Sequence, residues 1–491
     1  MATNGRWTIA GKGGGPVAAA PSSTPAATSH RSPAERFAFG RAVRDTVPLA
    51  AHAECRPEVA GRDPVALLER QAASRVPELV PIRYGRMLAS PFAFYRGGAA
   101  IMARDLAGTR TSGLQVQLCG DAHLANFGLF GSPERQLVFD SNDFDETLPG
   151  PFEYDVKRLV ASLSVAGRVN GYRRKQRAAI VAAAAARYRT AMARFAEMRD
   201  LEVWYAHLDA ARLQQQLAPL LDPARRRRLA KHLDRTQGRD SVQLFGKLVD
   251  TSGDTLRIRA RPPLIVPLRE FVSVGDGADV ERRFRDLISQ YRRSLQPDRR
   301  RLLERYRFVD MARKVVGVGS VGTRCWVVLL TGRDDDDPLF LQIKEAQASV
   351  LEPYLGQSEY ENHGERVVAG QRLMQATSDI FLGWLRSKET LDGAERDFFV
   401  RQLWDWKTSV DLDTILPEGL ELYGQVCGFL LARAHARSGD RIAIASYLGK
   451  GDSFDRALAE FAVAYADQNE RDHAALRKAA DEGRTPVEEG L

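Results

Sequence analysis

Cysteine is scarce in this sequence, with four residues that stand far apart among 491 and form no CxxC pair. Disulfide frameworks and structural zinc sites need paired or closely spaced cysteines, so neither is expected. No apolar run reaches the roughly 20 residues that a membrane-spanning helix needs. The first residues contain no basic stretch followed by an apolar core, so we expect no secretory signal. These absences predict a cytoplasmic protein without a membrane partner.

The excess of positive charge is also small. The formal net charge is +8 over 491 residues, and the arginines are spread along the chain. This balance suits an anionic ligand such as a nucleotide, but it lacks the concentrated basic surface that is typical of nucleic-acid binding. We therefore expect no nucleic-acid partner, and the sequence gives no indication of an oligomeric state.

The length and the changes in periodicity predict several regions. A chain of 491 residues is too long for one simple core. Residues 1–31 are rich in small residues and are predicted to be disordered. Helical periodicity dominates residues 32–306 and 404–491, whereas residues 307–403 contain several β-like runs. This organisation predicts an α+β fold with a β-rich region between two helical ones.

A cluster of chemically useful side chains begins at Gly120. Asp121 and Asn126 stand five residues apart on a turn, and three carboxylates follow at the end of an apolar strand: Asp140, Asp143 and Asp145. Phosphoryl transfer needs one carboxylate to orient a hydroxyl, and an amide and a second carboxylate to hold Mg²⁺. The pattern therefore predicts Asp121 as the catalytic residue and Asn126 as a metal ligand.

A second cluster has the form of a nucleotide-binding hairpin. A GxGxxG turn stands between two β-like runs, whereas a dinucleotide-binding fingerprint would stand between a strand and a helix. Kinases use such a turn to cover ATP phosphates, a Lys on the next strand to contact them, and a Glu on the following helix to hold that Lys. The predicted nucleotide-binding residues are Gly317, Gly319, Ser320, Gly322, Lys344, Glu361 and Glu365, with Glu361 or Glu365 pairing with Lys344.

At these motifs the chain resembles the DUF2252 family, an uncharacterised bacterial group assigned to the protein-kinase-like superfamily. The resemblance covers most of the chain from about residue 33 onward. It is carried by the motifs SPFAFYRG (from Ser90), GDAHLANFG (from Gly120), NDFDE (from Asn142), SDIFLGW (from Ser378), FVRQLWDWK (from Phe399) and ARAHA (from Ala432).

Within that superfamily the chain is similar to the aminoglycoside phosphotransferase and choline kinase branch. The HGDxxxxN catalytic loop of that branch corresponds here to CGDAHLAN, with Cys119 in place of the His. The metal carboxylate of choline-kinase-like enzymes begins a D-F-E triplet, and a second Asp opens the next helix twelve residues later. The resemblance implies that Asp143 is the first metal ligand, because Asp155 follows it at that spacing and is expected to cap its helix. Asp145 is expected to touch a second ion, and Asp140 is the reserve.

The resemblance implies a two-lobed protein-kinase-like fold, but the order of the parts is unusual. In kinases the Gly-rich loop and the Lys precede the catalytic loop, whereas here they follow it by about two hundred residues. The helical stretch 420–437 looks like the helix that directly precedes the catalytic loop in phosphotransferases. We therefore predict a circular permutation, with additional N-terminal and inserted helices.

These motifs predict Mg-ATP-dependent phosphoryl transfer to an unidentified hydroxyl acceptor, a small molecule rather than a protein. Nucleotidyl (AMP) transfer on the same fold is an alternative, because fold analogy does not decide the reaction. A nucleotide-binding pseudokinase regulator is the non-enzymatic alternative. A two-metal phosphoesterase is suggested by Asp121, His123 and His363, but such a site needs more His and Asp ligands than eight scattered His provide.

Overall fold

The computed structural model describes residues 31–55, 61–217, 241–253, 255–271, 277–388, 393–403 and 408–490, with isolated positions from 223 to 236 and at 406. Helices and antiparallel strands are both present, which confirms the α+β class. The predicted disordered segment, residues 1–31, lies outside the described residues except for its last position. None of the helices in the described ranges combines the length and the apolar character needed to cross a membrane.

The helices are numbered in chain order. They are α1 (Pro33–Thr46), α2 (Pro64–Ala72), α3 (Val80–Leu88), α4 (Pro91–Gly97), α5 (Ala99–Ala107), α6 (Glu153–Val169), α7 (Arg174–Glu197), α8 (Asp200–Tyr205), α9 (Ala210–Leu217), α10 (Ser241–Leu248), α11 (Gly277–Ser294), α12 (Pro297–Leu303), α13 (Glu352–Leu355), α14 (His363–Met374), α15 (Pro417–Ser438), α16 (Arg441–Leu448) and α17 (Ser453–Asp481).

The strands are numbered in the same way. They are β1 (Gln115–Leu118), β2 (Phe127–Gly131), β3 (Leu137–Ser141), β4 (Leu148–Pro151), β5 (Val249–Asp250), β6 (Arg257–Ile258), β7 (Ile265–Pro267), β8 (Arg307–Lys314), β9 (Cys325–Thr331), β10 (Pro338–Ala346), β11 (Gly383–Ser387) and β12 (Arg396–Gln402).

Three of the N-terminal helices begin with the same local device. Ser32, Asp63 and Ser90 each accept a hydrogen bond from an amide in the first turn, and a Pro occupies the first helical position of α1, α2 and α4. Such caps satisfy amides that have no partner within the helix, and Pro loses nothing there. The SPFAFYRG stretch forms α4 behind the Ser90 cap, and its aromatic side chains are buried.

The larger core is a helical body built around α6, α7, α15 and α17. Helix α6 is buried on nearly every face, so it lies inside this body and not on its surface. Small residues bring α7 and α15 close together: a Cβ added at Gly428 would lie 2.6 Å from the carbonyl oxygen of Ala184. Burying each Leu or Phe side chain here contributes roughly 2 kcal/mol, which makes this body the main source of stability.

The second core is a six-stranded antiparallel sheet in the order β11-β12-β10-β9-β8-β7. Strand β10 is buried along its whole length, and its alternating side chains enter different environments. Leu341 and Ile343 join one apolar cluster, whereas Phe340 joins another and shares its face with Lys344. Strand β7 precedes residue 307, so the sheet includes a strand from outside the predicted β-rich region.

Two small antiparallel pairs position the acidic motifs. Strands β2 and β3 form an antiparallel hairpin, with Phe127 opposite Ser141. Strand β1 pairs with β4, with Leu118 opposite Leu148. The turn after β1 and the turn after β3 consequently emerge at the same end, where the Asn142 amide donates to the Asn126 carbonyl at 2.8 Å.

Candidate functional site

The turn that carries Asp121 is held from below by Asp155 on α6. The two carboxylate oxygens of Asp155 accept from the amides of Cys119 at 2.7 Å and Gly120 at 3.0 Å. Gly120 has a φ of +81°, and a Cβ there would lie 2.2 Å from the Glu146 carbonyl oxygen, so only glycine fits. Asp155 is therefore not the predicted helix cap, since α6 begins before it, and it holds the Asp121 turn instead.

Asp121 is fixed by a single arginine. Its Oδ1 accepts from Arg158 Nε at 2.8 Å and lies 2.7 Å from Nη2 of the same side chain. The guanidinium of Arg158 also stacks 3.9 Å from the Tyr95 ring centroid. The second oxygen, Oδ2, lies 3.6 Å from His123 Nε2, and burial lowers the pKa of that His to about 4 despite the nearby Asp121. At neutral pH the His is uncharged, so one oriented carboxylate oxygen is left for a hydroxyl donor.

Asn126 is fixed beside Asp121. Its Nδ2 donates to the Asp121 carbonyl at 2.8 Å, which fixes the side chain and directs the amide oxygen away from that bond. Asp140, the reserve metal ligand, is used elsewhere: both of its oxygens accept from Arg433 Nη2 at 2.8 Å, and it is 3 % exposed. That buried ion pair removes Asp140 from the candidate metal ligands.

Asp143 and Asp145 converge on Lys344, which is only 2 % exposed. The ammonium lies 3.7 Å from Asp143 Oδ1 and in direct contact with Asp145 Oδ2. Burial lowers the pKa of Lys344, but the two carboxylates outweigh that effect and raise it. Burial and the Asp143 charge raise the pKa of Asp145, whose Oδ1 is buried without a hydrogen-bond partner.

Lys344 pairs with these two aspartates and not, as the sequence predicted, with Glu361 or Glu365. Helix α14 begins at His363, so Glu361 precedes it, and the Glu361 carbonyl accepts a hydrogen bond from Arg386. The Glu365 amide donates to Asn362 at 3.0 Å. Within the described ranges, the carboxylates at ion-pair distance from Lys344 are Asp143 and Asp145. The sequence could not reveal this, because it depends on how the helical body meets the sheet.

The Gly-rich loop between β8 and β9 is anchored to the N-terminal helices. Val318 and Val321 are buried in apolar clusters with residues of α2 and α3, and the Gly322 carbonyl accepts from the Val76 amide at 2.8 Å. Gly322 has a φ of +89°, which favours glycine, and it is buried in this anchor. The apolar side of the loop is therefore attached to the N-terminal helices. Its first half also faces the cavity described next.

A cavity of about 230 Å³ joins the two predicted clusters. Its walls include the predicted residues Asp121, Asn126, Asp143, Asp145, Gly317, Gly319 and Ser320. Lys344 adjoins this cavity through its contact with Asp145. The structure thus brings the acidic turn and the first half of the Gly-rich loop together, although nearly two hundred residues separate them in the chain.

Three arginines line the same cavity and were not predicted: Arg75, Arg83 and Arg96. Arg75 lies after α2, Arg83 on α3 and Arg96 on α4. The only sequence signal is that Arg96 belongs to the SPFAFYRG motif. Arg75 and Arg83 stand singly in amphipathic segments, and nothing in the sequence distinguishes them from the many other arginines.

The oxygen donors suit a cation that also binds a substrate. No group of three or more His, Cys, Asp or Glu side chains forms a metal cage in the part of the chain that the structure describes. Mg²⁺ needs only one or two protein carboxylates when phosphates and water complete its shell. Asn126, Asp143 and Asp145 fit that role, because Asp143 and Asp145 already surround a cationic ammonium and Asp145 has an unpartnered buried oxygen.

The fold and the site define an α+β protein with an acidic cavity beneath a Gly-rich loop. The chain belongs to a family described as "Uncharacterized protein conserved in bacteria (DUF2252)", whose model matches residues 75–479. Every residue of the cavity wall except Gln71 lies in that range. Comparison with curated proteins and with solved structures finds no match for this chain.

Proposed function

We propose that this protein is a Mg-ATP-dependent phosphotransferase of kinase-like fold that acts on a hydroxyl acceptor. The observation that carries the proposal is the single cavity shared by the Asp121 turn, the Asp143–Asp145 carboxylates and the Gly317–Ser320 loop. A positioned carboxylate, oxygen ligands for a metal and a Gly-rich loop over phosphates are the parts that phosphoryl transfer uses.

The sheet supports the kinase-like part of the proposal. The Gly-rich loop joins β8 to β9, Lys344 lies on the third strand β10, and helix α14 precedes β11 and β12. This is the kinase order of Gly-rich loop, strand lysine and helix. The lysine takes Asp145 as its partner in this structure, so we propose that it leaves that carboxylate for the nucleotide phosphates.

The last helices support the proposed circular permutation. Helix α15 packs against β1, β3, α6 and α7, although more than two hundred and forty residues separate α15 from α6 in the chain. His435 Nε2 on α15 lies 3.3 Å from Asp155 Oδ2, the carboxylate that holds the catalytic turn. These contacts support the proposal that α15 corresponds to the helix that precedes the catalytic loop in phosphotransferases, because contacts and not chain order define a core.

The proposed roles follow from these contacts. Asp121 Oδ2 orients the acceptor hydroxyl and takes its proton, while Arg158 holds the carboxylate in place. Asn126, Asp143 and Asp145 would hold Mg²⁺, which supplies charge stabilisation to the phosphates when bound. The phosphoesterase alternative gains no support, because His363 lines a different cleft, with Arg386 and Asp397.

The test is transfer of label from ATP in the presence of Mg²⁺, with and without a metabolite extract. Label from the γ-phosphate on a small molecule supports the proposal, whereas label from the α-phosphate indicates AMP transfer. We expect Asp121→Asn to reduce transfer by about 10²–10⁴-fold while ATP still binds. The control is Asp334→Asn, at an exposed hairpin tip. Wild-type turnover in the Asp121 variant contradicts the catalytic assignment, and the absence of both binding and transfer contradicts the proposed function.

A further inference from the structure

The cavity has a basic wall as well as an acidic one. Arg75, Arg83 and Arg96 come from the N-terminal helical region that covers the Gly-rich loop. Within the described ranges, no carboxylate lies at ion-pair distance from any of the three. Arg62, Arg158 and Arg433, by contrast, each lie within 2.8 Å of an aspartate oxygen. Among the described residues, the basic wall therefore has no carboxylate in direct contact.

Arg83 shows this most clearly. Its side chain is 0 % exposed, and only Nη2 has partners: the Gln71 side-chain oxygen at 2.9 Å and the Gly97 carbonyl at 3.4 Å. Nε and Nη1 are buried without a hydrogen-bond partner. Burial, and then the charge of Arg75, lowers the pKa of Arg83. A buried guanidinium without an anion is strongly unfavourable, so a purely structural role leaves this arrangement unexplained.

The other two arginines, Arg75 and Arg96, interact with carboxylates of the acidic wall. Arg75 is placed by a hydrogen bond to the Val321 carbonyl in the Gly-rich loop. It interacts electrostatically with Glu146 and Glu345 and, more weakly, with Asp145. Arg96 interacts electrostatically with Asp121 and Asp143. The arginines therefore lie where a phosphate in the cavity would meet them on one side and the proposed metal ligands on the other.

We propose that Arg83, together with Arg75 and Arg96, forms a subsite that binds a phosphate group. Guanidinium groups suit this ligand because their planar N–H donors match phosphate oxygens in pairs. The proposal that phosphate binds here depends only on the positions of the three arginines. The role of the subsite in catalysis rests on the proposed function. The phosphate belongs either to the nucleotide or to a phosphorylated acceptor, and these two sources share the same recognition chemistry.

The subsite predicts an unusual separation of stability from binding. Arg83→Met removes a buried charge that lacks a partner, so we expect the ligand-free variant to be at least as stable as the wild type. Phosphate binding should become about tenfold to a hundredfold weaker, because charge-assisted hydrogen bonds are lost. A structural arginine would show the reverse, with a lower unfolding temperature and unchanged binding.

The experiment titrates inorganic phosphate into the full-length protein, with calorimetry for affinity and thermal unfolding for stability. Chloride keeps the ionic strength constant, which separates a bound ion from general salt effects. Arg104→Gln is the matched control, because Arg104 lies on the neighbouring helix α5, outside the cavity wall, and donates to the Gly61 carbonyl. Arg96→Gln is a second variant, on a half-buried side chain, in case Arg83→Met fails to fold.

The expected result is phosphate binding by the wild type and Arg104→Gln, with strong loss in Arg83→Met and Arg96→Gln. Equal binding by all four proteins, or no phosphate binding by the wild type beyond the chloride effect, overturns the subsite. A repeat with saturating Mg-ATP identifies the source. Competition assigns the site to the nucleotide, and simultaneous binding assigns it to the acceptor. Phosphate binding that depends on Arg83 without any ATP binding keeps the subsite and rejects the proposed function.

Discussion

Arg83 in the cavity wall and Arg433 in the helical body are both 0 % exposed, yet their surroundings are opposite. Arg433 donates to both oxygens of Asp140 at 2.8 Å and to the Met374 carbonyl at 2.9 Å. Arg83 has a neutral amide and one long contact to a carbonyl. The helical body thus neutralises its buried charge within the chain. In the cavity wall, the Arg83 guanidinium has no such carboxylate among the described residues, and we propose that a bound ligand supplies the negative charge. Perturbed, unpaired charges of this kind are typical of binding sites and not of cores.

The largest expected effect tests this comparison directly. Arg433→Met leaves the Asp140 carboxylate buried without its partner, so the free energy of unfolding should fall by about 3–5 kcal/mol. Arg83→Met should leave it unchanged or raise it by about 1 kcal/mol, because the removed charge has no carboxylate partner among the described residues. Urea denaturation of both variants measures the two values. Equal losses would show that Arg83 is as structural as Arg433 and would remove the distinction between the two regions.

Lys157 on α6 is a buried cation of the helical body that lacks, within the described ranges, a partner like the one Arg433 has in Asp140. It therefore tests whether the helical body neutralises every buried charge. Its ammonium lies 3.4 Å from Thr109 Oγ1 and 4.7 Å from the Phe461 ring centroid. Burial lowers its pKa to about 8, against the opposing effects of Glu153 and Cys55. Between about pH 8 and 10.5 the native state therefore binds fewer protons than the unfolded chain, and stability rises with pH.

Replacing this lysine should remove that dependence. Relative to Lys157→Met, the wild type should gain at most about 3 kcal/mol of unfolding free energy from pH 8 to 10.5. Urea unfolding at several pH values across this window provides the measurement, and the difference between the two proteins cancels the other groups that titrate there. A constant difference across the window would mean that the ammonium has an effective partner, as other buried cations of the body have.

The smallest effect concerns the backbone. Gly120 and Gly113 both have positive φ values, +81° and +73°, but a Cβ at Gly113 would meet no described atom within 4 Å. Gly113→Ala should cost about 1 kcal/mol for its conformation. Gly120→Ala should cost about 2 kcal/mol more, because of the clash with the Glu146 carbonyl. Similar losses in the two variants would show that the Asp121 turn has room to adjust.

The parts of the site that depend on local sequence were predictable. The GDxxxxN turn, the hairpin after it and the strand bearing Lys344 each follow from a short pattern, because turns and period-two strands are set by near neighbours. The partner of Lys344 was not predictable, since Asp145 lies about two hundred residues away. Arg83 gave no signal at all: its unusual state comes from burial without an anion, and burial of one side chain is a property of the assembled molecule.

The contact between His435 and Asp155 also has a consequence for biosynthesis. The turn at residues 119–126 is translated before the helix behind its Asp155 support, which reaches His435 280 residues after Asp155. At roughly 5–20 residues per second, that interval is about 15–60 s. During this interval, the nascent chain contains the acidic turn but not the α15 helix that packs behind it. Full assembly of the site is therefore deferred until α15 has been made.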